Sequence, residues 1–173
     1  MTVNNIYTQT YQQALTMHES GINGEEILHY IALGAEVASG HGSAVSILLL
    51  DNDGLLRNGA SPQLPKDYLE AIDGLRPDAN LGTCAAAAAT GYIIMTPSFY
   101  ADDKWAELRH LPLALGYVGA WSCPIKTDTK DVIGTFGTYF RYHRNPTPEE
   151  IEGVELLASA VARVQIPSPI SYG

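Results

Sequence analysis

Cys84 and Cys123 are the only thiols in the chain, and Gly82-Thr83-Cys84 leads directly into the run Ala85 to Ala89. Five consecutive alanines favour a helix that neighbouring backbone approaches closely. The first N–H groups of such a helix lack internal partners and carry its positive dipole end, so Thr83 and Cys84 form a candidate contact for a small anion. The alternative is that Thr83 caps the helix and Cys84 packs in the core. Gly59-Ala60-Ser61-Pro62 ends an apolar run with small residues and a turn. Gly59 and Ala60 are therefore a second candidate contact, through backbone N–H groups that no strand ladder uses. Trp105 and Trp121 each offer a large apolar face and one donor, and Met95 a polarisable side chain, suited to a pocket wall or to a core.

Other chemistry has little support in the residue pattern. The five histidines are scattered, and none forms a metal-ligand pattern with a cysteine or carboxylate. Asp51-Asn52-Asp53-Gly54 has the start of a calcium loop but not its later spacing, and reads as a turn. There is no phosphate-binding Gly-Lys-Ser/Thr motif, and Arg141-Tyr142-His143-Arg144 is too short for a nucleic-acid patch. Two cysteines are too few for a disulfide framework and are expected to be free thiols in a reducing compartment.

A length of 173 residues suits one domain that buries a core and still encloses a pocket. Apolar residues make up 46% and charged ones 17%, a globular rather than a disordered balance. The formal charge of −9 repels phosphate backbones and anionic lipids, which argues against nucleic acid and membrane partners. No signal-peptide pattern opens the chain, and no apolar run approaches the roughly 18 residues of a membrane span. The expected location is the cytoplasm.

The elements that must position these residues follow from periodicity and turn signals. Apolar spacing predicts helices over Ile6 to Met17 and Glu25 to Val37, with Gly40 as a stop. Ala44 to Leu50 and Leu55 to Ala60 read as a hairpin around the Asp51 to Gly54 turn. Lys66 to Asp73 reads as a short helix with Tyr68, Leu69 and Ile72 inward, and the alanine helix ends at Gly91. Tyr92 to Thr96 reads as a strand, Trp105 to Leu115 as a helix, and Ala120 to Ile125 with Val132 to Tyr139 as a second hairpin. A last helix starts near Thr147, with Pro148 in its first turn. The tail from Pro167 to Gly173 is expected to be frayed or a partner contact. This order gives an α+β fold, an antiparallel β-sheet with helices packed on it.

Several segments together resemble the GAF domain family over about residues 20 to 165. They are Val45 to Gly54, Gly59-Ala60-Ser61-Pro62, Gly82-Thr83-Cys84, Lys104-Trp105-Ala106, Gly116 to Ile125 and Val132-Ile133-Gly134-Thr135-Phe136. Ala85-Ala86-Ala87 after Cys84 and Thr96-Pro97-Ser98 after the central strand depart from the family pattern. The resemblance implies a sensor that binds a small ligand in a pocket and signals to a separate partner protein, such as a sensor kinase. It is similar in architecture to nitrate-receptor-type GAF sensors, which makes an inorganic anion a ligand to test. No cofactor is expected, and haem is disfavoured because no histidine stands in the Cys84 helix. The alternatives are a ligand-free interaction module and an enzyme like the free methionine sulfoxide reductases. Against the latter, the region where that family holds its nucleophile reads Leu111-Pro112-Leu113-Ala114, without a cysteine. The apolar faces of the N- and C-terminal helices exceed what one sheet face needs, so a homodimer contact is expected there.

Overall fold

The computed structural model describes residues 3–165, with side chains from residue 5 onward. The first helical period becomes α1, Val3–Glu19. Asn23 then caps α2, Gly24–Ser39, by accepting a hydrogen bond from the Glu26 N–H at 2.9 Å. β1, Ala44–Leu50, and β2, Leu56–Ala60, are joined by a turn that Asp51 organises, its Oδ1 accepting from the N–H groups of Asp53 and Leu55. α3, Lys66–Ile72, and α4, Cys84–Thr90, follow, and Gly91 ends α4 in the left-handed conformation. β3, Ile94–Thr96, is shorter than the sequence run that announces it. β4, Gly119–Lys126, and β5, Val132–Phe140, form the second hairpin.

The helix expected from Trp105 to Leu115 is not continuous. A 3-10 turn, Asp103–Trp105, is capped by Asp102, and α5 spans only His110–Ala114. Between them the Trp105 indole turns inward to hydrogen-bond Thr83, and the Arg109 guanidinium bonds the carbonyls of Tyr100, Asp102 and Trp105. These tertiary bonds outweigh the weak local preference for one straight helix.

The last helix, α6, Pro148–Gln165, opens with a reciprocal box. The Glu150 N–H donates to Thr147 Oγ1 and the Thr147 N–H to Glu150 Oε1, both at 3.1 Å. Arg144 meets the same carboxylate at 2.6 Å. Burial opposes the Glu150 charge, but bonds from Arg144, Thr147 and Ser39 hold its pKa below the usual carboxylate range.

The five strands form one antiparallel sheet in the order β2-β1-β5-β4-β3. Alternation sends its two faces into different cores. Val45, Ile47, Trp121, Cys123, Ile125, Phe136 and Phe140 pack with α1, α2 and α6. Ala44, Ala120 and Tyr139 pack on the other face with Tyr68 and Ile72 of α3, and with Phe99, Trp105 and Tyr117.

α1 reaches the helix layer only because two glycines give way to it. A Cβ on Gly34 would overlap Thr10, and one on Gly153 would overlap the Tyr7 ring. The apolar faces of α1, α2 and α6 are thus turned largely on one another rather than left over, and Tyr7 and Ala14 are buried among them. What remains outside on α2 is Leu33, 41% exposed, and Val37, 68% exposed. Among the described residues no helix is long and apolar enough to cross a membrane. The tail from Pro167 lies outside the described residues.

Candidate functional site

The helix α4 lies flat on the sheet because its residues are small; Ala85, Ala86 and Ala87 are all buried. Gly82 precedes it with φ +69°, a left-handed turn that aims the chain at the sheet. Thr83 makes no side-chain bond to the helix it precedes. Its hydroxyl instead accepts from Trp105 Nε1 at 2.8 Å and bonds Thr96 Oγ1 at 2.9 Å. The capping role open to Thr83 from sequence is therefore not the one it plays. Phe99 packs against Trp105 with ring centroids 4.3 Å apart and the ring planes tilted by 47°, which helps hold the indole that the hydrogen bond orients.

Between α4 and the sheet lies a partly open cavity of about 30 Å³. That is room for about one water molecule. Thr83, Cys84 and Ala85 line one side and Leu48, Ala120, Gly137 and Tyr139 the sheet side, with Tyr68, Ile72, Trp105 and Leu108 closing the walls. The Tyr68 and Tyr139 hydroxyls meet at 2.7 Å, with the rings edge to face. Two phenols that share one bond use one of their two protons, so a donor is left over at the pair. No lysine, arginine or histidine lines the cavity.

Cys84 Sγ sits over Gly137, beside the hydroxyls of Ser122 and Thr135. Both hydroxyls are fully buried and have no other hydrogen-bond partner. Burial pushes the Cys84 thiol up, against the pull of Ser122 and Thr135, so the neutral thiol is the resting form. Cys123 is on the opposite face, in the helix-side core, and burial pushes its thiol up to about 12.

Of the residues singled out from sequence, Thr83, Cys84, Trp105 and Trp121 border this cavity. Trp121 does so from its strand, because its indole packs in the helix-side core and Nε1 there has no hydrogen-bond partner. Gly59 and Ala60 lie elsewhere. A bulge between Ile47 and Leu48 sets Ala60 opposite Ile47, in the helix-side core, and Gly59 lies against Leu28 of α2. Their N–H groups do not converge with the start of α4. Met95 pairs with Trp121 across β3 and β4, is 40% exposed, and does not line the cavity. Tyr139 and Gly137 were not singled out from sequence. The signals for them were a strand tyrosine whose hydroxyl needs a partner, and a strand glycine, which marks a close approach. Among the described residues no group of three or more His, Cys, Asp and Glu is placed to hold a metal ion.

The sequence matches the GAF domain family over residues 25–164, and the chain belongs to that family. It is 32% identical over 151 residues to a methyl sulfide methyltransferase-associated sensor of Methanosarcina acetivorans, covering 84% of this chain and 15% of that protein. The chain thus corresponds to a small part of that relative's length. Two solved structures share the fold at low identity. The GAF domain of a phosphoenolpyruvate-protein phosphotransferase from Coxiella burnetii superposes with a TM-score of 0.73 at 15% identity, covering 92% of each chain. Free methionine-R-sulfoxide reductase from Neisseria meningitidis, in complex with its substrate, gives 0.70 at 14% identity over 93% of this chain and 89% of that one.

Proposed function

We propose that this GAF domain is a sensory module that takes one small molecule into the cavity between α4 and the sheet and signals to a separate protein without catalysing a reaction. The cavity with its Thr83 and tyrosine hydroxyls carries this reading. Its similarity to a protein named as a sensor supports it. The cavity holds about one water as it stands. A larger ligand must therefore displace α4, Trp105 or the tyrosines, and a ligand that binds the opened form better shifts the population toward it. That is the requirement for a signal.

The cavity favours a small, largely apolar, neutral ligand. Burying an anion without a cation beside it is costly, and no cationic side chain lines this cavity. An enzyme of the reductase kind needs an accessible thiolate and a resolving thiol near it. Here both thiols are protonated, and they lie on opposite faces of the sheet. A homodimer through α1, α2 and α6, with Leu33 and Val37 at its contact, completes the reading.

The test is a thermal-shift screen at constant ionic strength with methanol, acetamide and dimethyl sulfide against nitrate, nitrite, acetate and phosphate. A ligand at a hundred times its dissociation constant adds about 2.7 kcal/mol, which for this size is roughly 5–10 °C. The expected result is a saturable shift with a neutral probe that disappears in Ala120→Leu, where the larger side chain fills the cavity. A saturable shift with anions alone would replace the neutral ligand by an anion. No saturable shift with any probe would favour the interaction module.

A further inference from the structure

Hydroxyl side chains gather between α4 and the sheet, and most of them are already engaged. Thr83 Oγ1 accepts from Trp105 Nε1 at 2.8 Å and bonds Thr96 Oγ1 at 2.9 Å. The Tyr68 and Tyr139 hydroxyls hold each other at 2.7 Å, and Ser46 Oγ lies 2.8 Å from Ser61 Oγ. Ser122 and Thr135 are the exceptions. Both side chains are fully buried, and neither hydroxyl has a hydrogen-bond partner among the described residues. Buried polar side chains nearly always have a partner, because one without it has given up water for nothing in return.

The sheet register brings the two together. Ser122 stands opposite Gly137 across β4 and β5, and Thr135 lies two residues from Gly137 along β5, so all three share one face. It is the face of Ala120 and Tyr139, which line the cavity. Gly137 has no side chain, and the room above it is taken by Cys84, whose Sγ would stand 2.8 Å from a Cβ there. Cys84 and Gly137 line the cavity, whereas Ser122 and Thr135 do not. The thiol thus stands between the cavity and the two hydroxyls, and sulfur is too weak an acceptor to replace an oxygen partner. Turning the thiol aside, or lifting the first turn of α4, opens the pair to whatever the cavity holds.

Such a pair selects among guests. One oxygen with two lone pairs can take the protons of both hydroxyls, while a single N–H or O–H proton satisfies only one of them. A charged guest is disfavoured in either sign, because neither a cation nor a carboxylate lines the cavity. We propose that Ser122 and Thr135 are the polar anchor for the ligand, that the ligand is a neutral molecule carrying one accepting oxygen, as in a ketone or an amide, and that Cys84 covers the anchor until the ligand enters. The inference rests on the sensory reading above and deepens it by naming the group that the ligand must carry.

The test sets acetone and acetamide, which carry such an oxygen, against dimethyl sulfide, which has the two methyl groups of acetone and no oxygen. Saturable shifts of the Gly137 and Cys84 amide resonances are followed by NMR in the wild type and in the double variant Ser122→Ala with Thr135→Val. The wild type is expected to bind the oxygen-bearing probes. In the double variant their dissociation constants should rise about tenfold or more, while that for dimethyl sulfide stays the same. The ligand-free double variant should melt at the wild-type temperature or above it, since no hydrogen bond is lost. Thr135→Ser keeps a hydroxyl and should keep acetone binding, and Cys84→Ala uncovers the pair and should tighten it. Undiminished acetone binding by the double variant would overturn the anchor, and binding by Cys84→Ala no tighter than by the wild type would overturn the cover. A double variant that melts markedly lower or does not fold would also overturn the proposal, because the hydroxyls would then be holding the thiol in place. A wild type in which no probe moves any resonance would refute the sensory reading itself, whereas one that binds dimethyl sulfide but neither oxygen-bearing probe would refute only the anchor.

Discussion

Gly137 lies beneath Cys84 so closely that a Cβ at position 137 would stand 2.8 Å from Cys84 Sγ. The thiol has little freedom to yield, because Ser122 and Thr135 flank it. Gly137→Ala is therefore expected to lower stability by about 1–3 kcal/mol through overpacking. Adding Cys84→Ala should recover most of that loss. A double-mutant cycle measured by urea denaturation is expected to give an interaction of about 0.5–3 kcal/mol, whereas additive losses would show that the two residues do not compete for space.

Glu36 supplies a pH dependence with a defined sign. It is 8% exposed and accepts from the Val45 N–H at 2.9 Å. Burial raises its pKa, against the pull of the Val45 N–H, Gln63 and His29. Its folded pKa thus lies above the unfolded one, so its contribution is fully present below the unfolded pKa and is lost as pH rises through the folded pKa. Glu36→Gln keeps an acceptor for Val45 and removes the titration. The variant should match the wild type in melting temperature below the unfolded carboxyl pKa of about 4.3 and exceed it increasingly toward neutral pH. A gap of equal size at acid and neutral pH would contradict this account.

The docking of α1 depends on the absence of a side chain at position 153. Gly153→Ala must displace the Tyr7 ring, at an expected cost of about 1–3 kcal/mol. Hydrogen exchange should show the loss concentrated in α1, with the sheet amides still protected. Uniform loss across the sheet would mean that α1 and the sheet unfold as one unit.

The exposed stripe on α2 tests the assembly. The chain has a mass of 18.7 kDa, so the proposed dimer scatters light as twice that value. Leu33→Glu with Val37→Glu is expected to return it to the monomer without loss of helix. A wild type that already scatters as a monomer at micromolar concentration removes the dimer from consideration.

Elements whose signal is local were legible in the sequence. The helical spacing from Ile27 to Ala35 and the apolar runs of β1, β4 and β5 each need only their own residues to be recognised. The break between Trp105 and His110 was not, because the bonds that make it come from Thr83 and from the carbonyls that Arg109 ties together. The candidate site divides the same way. Gly82-Thr83-Cys84 was visible as a helix start, but the partners of Thr83 stand 13 and 22 residues along the chain. Gly59 and Ala60 read as a strand exit with free N–H groups, whereas a bulge between Ile47 and Leu48 sets Ala60 opposite Ile47 within the ladder, and nothing in the local composition announces it.

β4 carries Ala120 to the cavity and the neighbouring Trp121 and Cys123 to the helix-side core. The side chains that border the cavity and those that hold the helix layer are thus written in alternate letters of one strand. After gene duplication the two properties can diverge separately, since a change at position 120 or 122 alters one face while the next residue keeps the other. A library randomised at Ala120, Tyr68 and Tyr139 should therefore reshape the cavity on an unaltered helix layer, a separation that makes the domain a practical starting point for engineered biosensors.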